Sequence, residues 1–126
     1  MRLALWLGAT IVLTVASIIV LTSDTPNETP SMVTAAGEAV FRAKGCSGCH
    51  SASGVTSLTN TGPDLTALAT RAAGRVEGLD AEGYVRESVM SPQAFIVPGF
   101  ETPFSMPTLA VSDAELEAIV AFLLGD

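Results

Sequence analysis

Both cysteines of this chain and its only histidine lie within five consecutive positions, Cys46-Ser47-Gly48-Cys49-His50. Neither residue type occurs anywhere else in the 126 residues. Thiolate and imidazole groups are soft metal ligands, and thiols also form covalent cross-links. A fold for this chain therefore has to bring these three side chains together around one centre.

The spacing Cys-x-x-Cys-His is typical of c-type haem attachment. Two thiols three residues apart can each form a thioether with one vinyl group on the same porphyrin edge, and the adjacent imidazole can then bind the iron. The porphyrin is also an apolar disc around which a small domain can fold. The sequence therefore predicts one covalent haem c held by Cys46 and Cys49, with His50 as an iron ligand.

Three other uses of these side chains fit the sequence less well. A structural zinc site needs four ligands, so the chain would have to add carboxylates to its two cysteines and one histidine. A thioredoxin-like dithiol needs a βαβ context, and the apolar pattern does not provide one. A plain disulfide is the ordinary use of two cysteines outside the cytoplasm, but it leaves the histidine unexplained.

The first part of the chain is strongly apolar. Residues 3–23 contain no charged side chain, and a helix of that length spans about 30 Å, the thickness of a bilayer's hydrocarbon core. A cleaved secretory signal is the alternative, although its apolar region normally covers about 7 to 15 residues, whereas this one continues to Leu21. The pattern favours an uncleaved, single-pass transmembrane anchor over residues 1–23.

The flanking charges predict the orientation of this anchor. Arg2 precedes the apolar segment, while Asp24 and Glu28 follow it. By the positive-inside rule, the N-terminus is then cytoplasmic and the remaining domain lies on the periplasmic or extracytoplasmic side of the cell membrane.

The chain after the apolar segment is acidic. Residues 24–126 carry 13 acidic and five basic side chains, a formal charge of −8. Such a charge disfavours nucleic acid and anionic lipid as partners and favours docking to a basic surface. Residues 24–32 are polar with two prolines and no periodicity, which predicts a flexible linker before a domain over residues 33–126.

Apolar spacing predicts three helices and no sheet. Apolar residues recur at helical spacing from Val33 to Phe41, which indicates an amphipathic helix that ends just before the cysteines. A second helix is expected from its N-cap Asp80 to the residues before Pro92. Ser112 begins the third with the pattern of a capping box. The domain is therefore predicted to be all-α with long loops.

The combination of these motifs resembles the class I cytochromes c over about residues 33–124. The shared pattern comprises Gly37-x-x-x-Phe41, Cys-x-x-Cys-His, Gly62-Pro63-Asp64-Leu65, Met106-Pro107, and a C-terminal helix that contains Ile119 to Leu123. The resemblance implies a fold in which the N- and C-terminal helices cross and loops wrap around the haem. It places Gly37 and Phe41 at that crossing, against Ile119 and Phe122.

The resemblance also implies roles for Pro63 and Met106. In this family, the proline carbonyl of a Gly-Pro pair accepts a hydrogen bond from the second ring nitrogen of the ligand histidine, a role that falls to Pro63. The sixth iron ligand is a methionine before the last helix, which corresponds to Met106. The cofactor-binding residues are thus Cys46, Cys49, His50, Pro63 and Met106, and the iron ligands are His50 and Met106.

The sequence also predicts roles for further methionine, arginine and apolar residues near these motifs. Met90, interpreted as lying at helical spacing with Val85 and Val89, is expected in the core. Arg71 and Arg75 are candidate partners of the haem propionates. Five apolar side chains are expected to form a dry pocket around the Met106 loop, which raises the reduction potential of the iron: Phe95, Ile96, Val97, Phe100 and Phe104.

These expectations converge on electron transfer. An iron with both axial positions filled has no site for oxygen or substrate, so the protein is predicted to be a one-electron carrier and not an enzyme. With the anchor, the resemblance implies a tethered carrier between a quinol-oxidising complex and an oxidase or photosynthetic reaction centre. Residues 80–100 are also similar to haem domains fused to the second subunit of some haem-copper oxidases.

Two alternatives stay open at this level. The first is a fixed haem subunit inside a larger respiratory, quinol-oxidising or oxidase complex. The second is an enzyme or gas sensor in which the methionine ligand is labile.

Overall fold

The computed structural model describes residues 29–101 and 105–125. Within these ranges the chain forms four α-helices and a short 3-10 helix: α1 (Thr29–Ala43), the 3-10 helix (Cys46–Gly48), α2 (Ala69–Ala72), α3 (Ala81–Met90) and α4 (Asp113–Leu124). Extended pairing in the described residues is limited to an isolated bridge between Ala52 and Val55. The predicted all-α class is therefore confirmed for this part of the chain.

The predicted transmembrane anchor, residues 1–23, lies outside the described residues. In the ranges that are described, no helix has the length and apolar character needed to cross a bilayer. Helix α1 begins at Thr29 and not at Val33, so its first turn falls within the predicted linker. Pro30 is compatible with this turn, because the first N–H groups of a helix have no intrahelical partner.

Helices α1 and α4 cross in direct contact at Gly37. A Cβ atom at this position would overlap the carbonyl oxygen of Ala118 and lie 2.5 Å from the Cβ atom of Phe122. One turn further along α1, the rings of Phe41 and Phe122 pack with their centroids 5.4 Å apart. The predicted crossing of the two terminal helices is confirmed, and it depends on glycine at position 37.

Helix α3 begins at the predicted N-cap, where the Asp80 carboxylate accepts a hydrogen bond from the Gly83 N–H at 2.7 Å. The helix buries Val85 and Val89. Met90 is 45% exposed, so the prediction that it belongs to the core is wrong. Val85 and Val89 are four residues apart and therefore share one face of the helix. Met90 directly follows Val89, so its side chain is turned about 100° away from that buried face.

Helix α4 begins with the predicted capping box. The Ser112 hydroxyl accepts a hydrogen bond from the Glu115 N–H at 3.4 Å, and the Glu115 carboxylate accepts one from the Ser112 N–H at 2.9 Å. Lys44, just after α1, donates to the same carboxylate at 2.9 Å and to the Ala110 carbonyl oxygen at 2.8 Å. The start of α4 is thus tied to the segment that leads into the cysteines.

Candidate functional site

The cysteine and histidine side chains are presented by the 3-10 helix that follows α1. Gly45 links the two helices with a left-handed φ of 79°, a conformation that glycine adopts without steric cost. The Cys46 carbonyl oxygen then accepts hydrogen bonds from the N–H groups of Cys49 at 3.1 Å and His50 at 2.9 Å. This turn places Cys46, Cys49 and His50 along one cavity.

The His50 imidazole is held by Pro63 and Gly62. Its Nδ1 atom lies 2.8 Å from the Pro63 carbonyl oxygen, and because a carbonyl only accepts, Nδ1 carries the hydrogen and donates it. The ring packs against Gly62, where a Cβ atom would lie 2.5 Å from Cε1. The remaining nitrogen, Nε2, is then the one with a free lone pair and is able to bind a metal.

The backbone around Pro63 is itself fixed to the cysteine motif. The Gly62 N–H donates to the Cys49 carbonyl oxygen at 2.9 Å, and the Leu65 N–H donates to the Ser51 carbonyl oxygen at 2.7 Å. These two bonds flank Pro63 on both sides. The position of the oxygen that receives the His50 proton is therefore set by the same turn that positions His50.

The two arginines proposed as propionate partners make other contacts. The Arg71 guanidinium donates to the carbonyl oxygen of Thr66 at 2.6 Å and also to that of Asp64. The Arg75 guanidinium lies 5.8 Å from the centre of the Tyr84 ring. Neither arginine is among the residues that line the cavity. Arg71 instead holds the segment directly after Pro63 in place.

The cavity beside the cysteines and the histidine is mainly apolar. Four of the five apolar residues predicted to surround it line its wall, and the fifth, Phe104, lies outside the described residues. Side chains from the helices complete the wall, among them Phe41 from α1, Val85 from α3 and Ile119 from α4. The helices that form the core thus also form the apolar wall of the cavity.

Met106 lines the same cavity and is partly buried. Its carbonyl oxygen accepts a hydrogen bond from Nε2 of Gln93 at 3.0 Å. No sequence pattern points to Gln93, because a single amide in a proline-rich loop belongs to no periodicity and no motif. All the predicted site residues border this one cavity: Cys46, Cys49, His50, Pro63 and Met106.

Both thiols are free of disulfide bonds. Cys46 is partly buried, and this burial raises the pKa of its thiol; a backbone hydrogen bond lowers the pKa by a smaller amount, and the neighbouring Cys49 raises it by less still. A free thiol pair, an imidazole with an available Nε2 and a methionine thioether border an apolar cavity. This set of donors fits a covalently attached haem.

The fold and the site thus define a small helical haem-binding domain. The family model described as Cytochrome c matches residues 34–125, which is most of the chain, so the chain belongs to the cytochrome c family. Its Cys46 and Cys49 fit the attachment motif, and the protein carries a covalent c-type haem and functions in electron transfer. Searches of curated proteins and of solved structures found no match.

Proposed function

We propose that the protein is a membrane-anchored one-electron carrier in which His50 and Met106 are the axial ligands of a single haem iron. The observation that carries this proposal is the convergence of both side chains on one apolar cavity, with the His50 tautomer fixed by the Pro63 carbonyl oxygen at 2.8 Å. The anchor is residues 3–23, and the haem domain lies on the periplasmic side.

Each site residue has a distinct task in this proposal. A c-type haem supplies a one-electron couple between ferric and ferrous iron. Cys46 and Cys49 keep it attached through thioether bonds. His50 offers Nε2 as a ligand, and donation from Nδ1 to Pro63 makes the imidazole more electron-rich. The Met106 thioether, a soft ligand, favours the ferrous state and gives a relatively high reduction potential.

The apolar wall of the cavity supports the same chemistry. Exclusion of water lowers the local dielectric constant, which disfavours the additional positive charge of the ferric state and raises the potential further. If His50 and Met106 both bind the iron, no coordination position would remain for oxygen or a substrate. The protein therefore accepts and passes on single electrons without transforming a substrate.

The surface charge supports a basic docking partner. Residues 24–126 have a formal charge of −8, and the described cations are all engaged within the domain. Arg42 pairs with Glu38 at 2.9 Å and Arg86 pairs with Glu82 at 2.8 Å, while Lys44, Arg71 and Arg75 make the contacts given above. The charge available to a partner is therefore mainly negative.

We propose membrane redox complexes as these partners: a quinol-oxidising complex as donor, and an oxidase or a photosynthetic reaction centre as acceptor. A tether in the same membrane raises the effective concentration of the haem domain at each docking surface. Extraction of membranes at high pH tests the anchor. The full-length protein should stay in the membrane and a variant that lacks residues 1–23 should not; release of the full-length protein would overturn this part of the proposal.

The ligation is tested with Met106→Ala. This variant should keep its haem, lose the absorption of methionine-ligated iron, have a lower potential and bind carbon monoxide in the ferrous state. Met90→Ala is the matched control, because Met90 is 45% exposed on α3; its spectrum should equal that of the wild type. An unchanged spectrum in Met106→Ala would exclude Met106 as a ligand.

A further inference from the structure

We propose that Gln93 is a positioning residue for Met106: the Gln93 amide holds the Met106 carbonyl and so keeps the methionine thioether in the cavity. The bond joins Nε2 of Gln93 to the Met106 carbonyl oxygen at 3.0 Å. This inference rests on the proposed role of Met106 as an iron ligand.

The segment around Met106 has little hydrogen bonding of its own. Among the described residues, positions 105–111 take part in no backbone–backbone hydrogen bond. Pro107 directly follows Met106 and has no N–H to donate. Two of the described side chains hold the segment instead, Gln93 at the Met106 carbonyl oxygen and Lys44 at the Ala110 carbonyl oxygen. Of these two, Gln93 acts on the proposed ligand residue itself.

Gln93 is a suitable anchor because its own backbone is fixed. Pro92 before it is buried, and the Ala94 N–H after it donates to the Ser91 carbonyl oxygen at 2.8 Å. Ser91 is the C-cap of α3, which is firmly packed through its buried valines. The amide therefore extends from the packed end of α3 to a segment that forms no backbone–backbone hydrogen bond within the described part of the chain.

The bond affects the balance between a state with Met106 in the cavity and a state with Met106 withdrawn. Loss of one exposed hydrogen bond shifts such a balance about two- to tenfold. An external ligand that competes for the sixth position of the iron binds only the withdrawn state, so its apparent affinity rises in proportion to the population of that state.

Imidazole binding to the ferric holoprotein tests the role of Gln93. Gln93→Leu replaces the amide with an apolar side chain of similar volume and removes the donor, and it should bind imidazole about two- to tenfold more tightly than the wild type. Gln93→Glu places a carboxylate, which only accepts, against the Met106 carbonyl oxygen, and its effect should be larger. Both variants should show weaker absorption from methionine-ligated ferric iron and little change in Tm.

Thr108→Val is the matched control. Thr108 is an exposed residue in the same segment, and within the described ranges its side chain forms no hydrogen bond. The variant is nearly isosteric and leaves both side-chain anchors intact. Its imidazole affinity and its spectrum should equal those of the wild type.

Met106→Ala is measured alongside to separate the two proposals. If Met106→Ala binds imidazole tightly while both Gln93 variants keep the wild-type affinity, only the role of Gln93 is overturned. A lower Tm in the Gln93 variants with unchanged imidazole affinity overturns it too, because the bond is then merely structural. If Met106→Ala itself has the wild-type spectrum and affinity, both the proposed ligation and the role of Gln93 fall.

Discussion

The rings of Phe41 in α1 and Phe122 in α4 pack at an interplanar angle of 58° with their centroids 5.4 Å apart. Both residues are almost completely buried, at 1% and 2% exposure. Phe41 also lines the cavity that His50 and Met106 border. The contact that joins the first helix to the last therefore also supports the wall of the haem site, which couples the stability of the fold to the site.

Phe122→Ala should lower the free energy of unfolding by about 3–5 kcal/mol, because it leaves a cavity at the helix crossing. Denaturant unfolding of the holoprotein measures this change. Leu58→Ala is the control, since Leu58 is 84% exposed and its truncation should cost no more than about 0.5 kcal/mol. If the two variants lose the same unfolding free energy, the packing of Phe122 at the helix crossing does not stabilise the fold.

Gly37→Ala should destabilise the protein by about 1–3 kcal/mol through overpacking. The added methyl group would overlap the Ala118 carbonyl oxygen on the facing helix. Gly48→Ala makes the same chemical change where a Cβ atom would meet nothing within 4 Å, and it should be close to neutral. A neutral Gly37→Ala variant in the same denaturant experiment would contradict the close approach of α1 and α4.

Gly62→Ala should change the spectrum as well as the stability. Its Cβ atom would lie 2.5 Å from Cε1 and 2.7 Å from Nδ1 of His50, so the ring has to move and its hydrogen bond to Pro63 is disturbed. The optical spectrum should show a smaller low-spin, six-coordinate fraction. Gly37→Ala is the comparison here, because it disturbs the helix crossing and does not contact the imidazole, so its effect on the six-coordinate fraction should be smaller. A wild-type spectrum in Gly62→Ala would mean that the packing of His50 against Gly62 is unimportant.

The contact between Lys44 and Glu115 predicts a pH-dependent contribution to stability. The hydrogen bond from Lys44 and, to a smaller extent, those from Ser112 lower the pKa of Glu115 to about 2. The pKa of a glutamate in an unfolded chain is about 4.3. Because the unfolded state takes up the proton first, the stabilisation is complete above about pH 4.3 and is lost as the pH falls towards the folded pKa. The stability advantage of the wild type over Glu115→Gln should therefore shrink as the pH falls through this window.

Denaturant unfolding at a series of pH values measures this difference. Glu87→Gln is the control, since Glu87 forms no ion pair among the described residues. Its difference from the wild type should vary less over the same window. A constant difference between the wild type and Glu115→Gln would contradict the coupling of Lys44 to Glu115.

Features with a local chemical cause could be predicted from the sequence. The helix N-caps at Asp80 and Ser112 follow from side chains that accept hydrogen bonds from N–H groups two or three residues ahead, so the sequence alone contains the partners. The crossing of the terminal helices could be predicted because the family resemblance places Gly37 and Phe41 against the last helix. The same resemblance identified the five predicted site residues that border the cavity.

Features that depend on the orientation of an element or on a distant partner could not be predicted. Met90 is adjacent in sequence to buried Val89 and yet exposed, because a step of one residue turns the side chain about 100° around a helix. The donor from Gln93 reaches a carbonyl oxygen in another loop, and no local pattern records such a contact. Arg71 binds backbone carbonyl oxygens near Pro63, a use of arginine that its sequence position does not reveal.

The reduced-minus-oxidised optical spectrum of the matured full-length protein tests the central claim most directly. The account predicts a low-spin haem c in both oxidation states, with the absorption of methionine-ligated iron and no change when carbon monoxide is added to the ferrous protein. A colourless matured protein, or a ferrous spectrum that shifts at once with carbon monoxide, would contradict a carrier whose iron is bound by His50 and Met106.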